Sequence, residues 1–157
     1  MSKRSKKPYN DRDDLDKLQS QWNKINGILS RDKEWSAAIV RAATAAEIAA
    51  NIAIRKQFGG RSEFPPKFID NLLTWANGID GKFRRLIIPL EDDPESRKIL
   101  ESLYKKAAKL NDKRNEIVHR GTFSKESEAR TYVDLAREII HGLVQPYGTN
   151  FQLGTSA

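Results

Sequence analysis

The chain has 157 residues, 38% of them hydrophobic and 31% charged, the length and balance of one soluble globular domain that buries a core without metal or disulfide staples. It contains no cysteine, which excludes disulfide frameworks, thiolate zinc sites and cysteine nucleophiles together. The net charge of +7 invites contact with phosphate, yet Lys3, Arg4, Lys6 and Lys7 all fall within the first ten residues beside no acid, so more than half of the excess sits in that tail.

Residues 1–10 read as a flexible basic tail, either a solvated arm or a contact for nucleic acid. The tail lacks the apolar core of a signal peptide, and no stretch reads as the roughly 20 apolar residues of a membrane span, so a cytoplasmic protein with no membrane partner is expected. Apolar spacings of three and four recur along the chain and strand-length alternation is missing. The fold class expected is all-α, a compact helical bundle of about five helices forming one domain over residues 11–147, with residues 148–157 as a flexible C-terminal tail.

A first helix is expected from Asp11 to Leu29, with Leu15, Leu18, Trp22, Ile25 and Leu29 on its apolar face and Asp11, Asp13 and Asp14 at its positive end. Ser30 or Asp32 can cap a second, alanine-rich helix near Lys33 to Phe58, which Gly59 and Gly60 stop. Its narrow polar strip is Arg41, Thr44, Glu47, Asn51 and Arg55, facing either water or a polar cavity or dimer seam. Pro66 opens a third helix through "KFIDNLLTWA", ended by Asn77 and Gly78. "IDGKFRRLIIPL" follows as a short helix or turn bearing Lys82, Arg84 and Arg85, either solvated or on a phosphate backbone. "EDDP" starts a long fourth helix, and a last one starts near Ser124 and ends before Pro146, with Tyr132, Val133, Ala136, Ile139, Ile140 and Leu143 on one side.

On the fourth helix Ile99, Leu103, Ala107, Leu110 and Ile117 share a core face, and Arg114 falls in its middle. A guanidinium cannot shed its charge, so an apolar setting demands an acid or an anion. Glu47 is the expected partner, unless the helix breaks near Asn111 and turns Arg114 to solvent. Asn111, Asn115 and His119 run along the margin of that face. His119 stands at the helix end, as a cap or as a catalytic group, and His141 projects onto the wet side of the last helix without an assigned role. The acids Glu91, Asp92 and Asp93 show no metal-ligand spacing, and neither a metal nor a cofactor is expected.

The stretch "RNEIVH", residues 114–119, resembles the arginine, polar residue, short spacer and histidine motif of the HEPN superfamily, compact all-α domains many of which are metal-independent RNA endonucleases. The resemblance is sharp over those six residues and loose over the helix layout from Asp11 to Tyr147. It implies that Arg114 and His119 form the catalytic pair, that Asn115 orients them, and that Glu47 is the acid an earlier helix often brings near the arginine. The spacer of four lies at the short end of the family's range. On one helix Arg114 and His119 are about 140° apart, which by itself favours a homodimer whose two copies share a composite cleft. The alanine-rich helix offers a surface for that packing. RNA would be the partner and substrate, with Arg120, Lys113, Lys82, Arg84 and Arg85 as candidates to hold its backbone. A toxin or defence role with a restraining antitoxin or regulatory protein fits this reading. The alternative is a non-catalytic helical module for dimerisation and RNA or protein binding. A DNA-binding protein ranks last, because no helix-turn-helix with a basic recognition helix is present.

Overall fold

The computed structural model describes residues 13–59, 64–148 and 151–154. Among the described residues the fold is all-α, six helices and no strand. Helix α1 (Asp14–Gly27) begins where the Asp13 carboxylate accepts the Asp16 amide proton at 2.8 Å, satisfying one of the free N–H groups of the first turn. Leu18, Trp22 and Ile25 are fully buried, whereas Leu15, expected on the same face, is 39% exposed because the core begins one turn later. The helix widens into a π turn, Ile28–Asp32. Ser30 does not cap the next helix. Its hydroxyl turns back to donate to the Asn26 carbonyl at 2.8 Å, and the chain reverses through Lys33 at φ 53.

Helix α2 (Trp35–Gly59) is the axis of the molecule, packed against α1 and the last helix. Ala38, Ala42, Ala45, Ala46, Ala49, Ala50 and Ala53 are all buried there, and their small size lets neighbouring backbones come close. The alanine face is therefore consumed inside one chain and is not free for a second copy. By length and hydropathy α2 would suffice to cross a membrane, contrary to the sequence reading, but it serves here as a core helix. Its polar strip is only partly wet. Arg41 donates to the Gln21 side chain, Arg55 pairs with Asp14 and Asp70, and Glu47 is held from another helix.

Helix α3 (Pro66–Trp75) opens on a proline in its first turn, where no N–H is needed. Phe64 meets Phe58 edge-on at 5.6 Å and stacks on Phe68 at 5.2 Å, tying the start of α3 back to the end of α2. Asn77 and Gly78 end α3 and also launch α4, where Gly78 takes a positive φ of 75 that a side chain would strain. Here α4 denotes the unbroken helical run Gly78–Lys82, the π segment Phe83–Ile87 and Ile88–Leu90. The stretch is helical throughout rather than a loose turn, and Ile79, Lys82, Phe83 and Leu86 fall on its buried side at spacings of three and four.

Helix α5 (Pro94–Arg120) starts at Asp93, whose carboxylate accepts from both the Ser96 amide and hydroxyl at 2.9 Å and is held below the usual carboxylate range by them. It ends at Gly121, φ 64, whose amide returns to the Ile117 carbonyl at 3.0 Å. Leu103, Ala107 and Leu110 are buried, but Ile99 at 61% exposed is not, so the core covers only the middle of the helix. Helix α6 (Glu126–Val144) packs Val133, Ala136, Ile139, Ile140 and Leu143 inward, and a short 3-10 turn, Gln145–Tyr147, follows. The Tyr104 hydroxyl donates to Asp80 at 2.6 Å and links α5 to α4.

The C-terminal stretch Phe151–Gly154 is packed, contrary to the tail expected from residue 148. Leu153 is 4% exposed, the Gln19 and Asn26 side chains of α1 donate to the carbonyls of Gln152 and Gly154, and the Leu153 amide donates to His141 Nε2 at 3.3 Å. His141 thus faces this segment rather than open water. The expectation for residues 1–10 lies outside the described residues.

That hydrogen bond carries a pH dependence. Accepting at Nε2 requires a neutral ring, and burial, helped by the Arg137 charge, lowers the His141 pKa from its ordinary 6.5. Above pH 6.5 the docking contributes in full. As pH falls from 6.5 through the lowered folded value the unfolded chain takes up the proton more readily, and the contribution is lost. The Leu153 amide NMR signal is expected to follow this titration, and His141→Gln, which keeps an acceptor, should abolish the pH dependence. The same pH dependence persisting in His141→Gln would contradict the assignment.

Candidate functional site

Beyond Leu110 the buried stripe of α5 gives out, and Arg114 stands at that edge, half-buried rather than in the apolar core that the spacing suggested. The helix does not break at Asn111. The Arg114 side chain opens into a polar concavity of about 340 Å³ whose walls include Thr44 and Glu47 from α2, Asn77 before α4, and Asn111 and Asn115 from α5. Its Nη1 donates to the Asn115 Oδ1 at 3.1 Å, a contact that restricts the guanidinium without neutralising it.

Glu47 does share this concavity, but it does not pair with Arg114. Its Oε1 accepts from Lys82 Nζ at 2.9 Å, with the lysine side chain 5% exposed and the glutamate 40%. The reason lies in α4. Because that segment is a true helix, Lys82 falls on its inner face beside Ile79 and Phe83, and its ammonium needs an acid. Lys82 is accordingly an internal counterion and not a surface contact for RNA. Among the described residues Arg114 has no carboxylate within ion-pair distance.

His119 and Arg120 lie exposed in the last turn of α5 and, with Asp112, Asn115 and Glu116, line an adjoining concavity of about 450 Å³. Asn115 borders both spaces, so the arginine and the histidine open on either side of one asparagine. Five residues of helix separate the pair by about 7.5 Å along the axis as well as about 140° around it. The loop after α5 is pinned where the Ser124 amide donates to the Ser36 hydroxyl at 2.9 Å, which fixes the end of α5 against the start of α2. Val118 is 48% exposed and Phe123 95% exposed, an apolar pair flanking His119.

The remaining basic candidates divide. Lys113 is committed: its side chain is 11% exposed, it pairs with Glu128 at 2.9 Å, and that bond raises its pKa while lowering the carboxylate's. Its job is to tie α5 to α6. Arg84 is largely exposed but pairs with Asp80 at 2.7 Å, and that hydrogen bond, with one from Tyr104, holds the Asp80 carboxyl below its usual range. Arg85 lies over the ring of Trp75 at 4.8 Å. Asn77 was legible only as a helix stop, although the dipeptide Asn77-Gly78 also hints at a turn that can present a side chain.

Comparison with known proteins found no matching family model, no matching curated protein and no matching solved structure. A separate apolar pocket of about 150 Å³, walled by Ile54, Ile87, Leu90, Leu100 and Leu143, opens near the start of α5, the opposite end from His119, and no basic residue lines it. Among the described residues no group of three or more His, Asp or Glu side chains is placed to hold a metal ion.

Proposed function

We propose that the chain is a metal-independent RNA endonuclease of the HEPN type, acting as a dimer in which Arg114 and His119 from two copies converge on one phosphodiester. The observation that supports it most is the open guanidinium. Arg114 sits half-buried in a polar concavity, oriented by Asn115, while Glu47, the acid that shares this concavity among the described residues, is already occupied by Lys82. A cation left in that state has its strongest interaction with an anion brought from outside.

The chemistry follows from the two groups. His119 takes the proton from a ribose 2′-hydroxyl, the 2′-oxygen forms a bond to phosphorus, and the bond from phosphorus to the 5′-oxygen breaks as that oxygen takes a proton from water, whose loss the His119 imidazolium makes good. Arg114 stabilises the negative charge that accumulates on the phosphorane oxygens. Helical geometry separates the two groups within one chain, which is why the reading needs a second copy. Val118 and Phe123, exposed beside His119, supply apolar area for the seam near these helix ends. Arg120 is the basic residue placed to hold the strand there.

The same apolar pair favours a second reading, a non-catalytic module that docks another protein or RNA. Incubation of RNA and DNA of one sequence with the purified chain in excess chelator separates them. The nuclease cuts RNA and spares DNA, with a rate per chain that rises with protein concentration until dimers saturate. A module that binds RNA and leaves it intact is the other outcome.

A further inference from the structure

Of the three tryptophans, Trp22 is fully buried and Trp35 is partly packed against the core, but Trp75 at the end of α3 is 59% exposed. An indole left in water forfeits much of the free energy that burying it would supply. What covers it in part is a cation. The Arg85 guanidinium carbon lies 4.8 Å from the ring centroid, and among the described residues Arg85 forms no ion pair, whereas the neighbouring Arg84 is held by Asp80. Arg85 thus feels the Asp80 carboxylate only through its field, without a direct pair, and its guanidinium is stacked on the ring. Phe68, on the same face of α3 seven residues earlier, is 41% exposed and backed by Phe64, so a second ring is presented along the helix.

Position gives these rings their meaning. Trp75 precedes Asn77 by two residues, which keeps their Cα atoms within about 8 Å, and Asn77 is in the wall of the Arg114 concavity. We propose that Trp75 and Arg85 form a stacking platform for an unpaired nucleobase, so that the strand reaching Arg114 is single-stranded. The proposal rests on reading the Arg114 concavity as a phosphodiester site. Every base has a π face, and a base in a duplex is already stacked on its neighbours, so an exposed indole backed by a guanidinium selects for unpaired strands without selecting sequence. The charge of Arg85, which forms no ion pair among the described residues, attracts the phosphates that flank such a base. Burial in a dry protein seam would instead desolvate a charge whose acidic neighbour Asp80 is already held by Arg84 and Tyr104.

The test uses the full chain with a single strand of about 12 nucleotides, once as the 2′-O-methyl form and once as DNA, neither of which can be cut by 2′-hydroxyl attack. On titration the Trp75 indole N–H signal, identified by its loss in Trp75→Phe, is expected to move while the Trp22 signal stays. Affinity is expected to fall about tenfold in Trp75→Ala and to return to within about threefold in Trp75→Phe, with Arg85→Met flattening the salt dependence. The corresponding duplex should bind more weakly than either strand. Unchanged affinity in Trp75→Ala, a stationary Trp75 signal, absence of single-strand binding, or preference for duplex would each overturn the proposal. So would a Trp75 signal that responds to protein dilution and not to the strand, since that assigns the indole to a protein seam. Binding at Trp75 by a chain that never cuts RNA would leave the platform standing and remove the nuclease; cutting without any response at Trp75 would do the reverse.

Discussion

Alanine at His119 or at Arg114 is expected to lower the rate of RNA cleavage by at least about 100-fold, the loss typical of removing a general acid-base or a stabiliser of the transition state. Neither change should unfold the protein. His119 is exposed at a helix end, and the hydrogen bond of Arg114 goes to its own neighbour Asn115 rather than across the core. Thermal melts within about 2 °C of the wild type, beside single-turnover cleavage of one RNA, would separate lost chemistry from lost fold. Arg114→Lys should stay far below the wild type, because an ammonium keeps the charge but not the planar fork that grips two phosphate oxygens. Full activity in either alanine variant would contradict the assignment of the pair.

Lys82→Met is expected to act on stability and on cleavage together, although Lys82 touches no substrate in this account. The variant leaves Glu47 without its counterion. A fully buried pair broken in this way would cost about 3–5 kcal/mol, but the glutamate side chain is 40% exposed, so solvent reduces the cost to about 1–2 kcal/mol and a few degrees of melting temperature. The freed carboxylate then faces Arg114 across the same concavity and competes with phosphate for it. Cleavage should fall about tenfold, and Lys82→Met combined with Glu47→Gln should recover most of both losses, a coupling that a double-mutant cycle measures. If the single variant cuts RNA at the wild-type rate, Lys82 has no part in keeping Arg114 open.

The first expectation concerns residues that the sequence already singled out, and the second depends on a contact that it left illegible. Periodicity located the helices, because the long faces of α2, α5 and α6 repeat every three or four residues and alternate with clear stops at Gly59 and Gly121. Arg114, Asn115 and His119 were legible for a related reason: one helix fixes their mutual spacing whatever it packs against. The partner of Glu47 was not. Local spacing places a side chain on a face but does not say which helix lies opposite, and Lys82 was hidden in a segment whose π turn and proline blurred its periodicity. The same limit applied to His141 and Leu153. Their contact joins a helix to an extended stretch with no repeat of its own, so only tertiary packing could bring them together.

The claim at the centre is that His119 and Arg114 drive attack of a ribose 2′-hydroxyl on the adjacent phosphodiester. The most direct measurement maps the ends left on a defined RNA cut in excess chelator by the wild type, by His119→Ala and by Arg114→Ala in parallel. The account predicts 2′,3′-cyclic phosphate and 5′-hydroxyl ends from the wild type and intact RNA from both variants. Ends of another kind, or equal cleavage by all three proteins, would contradict it.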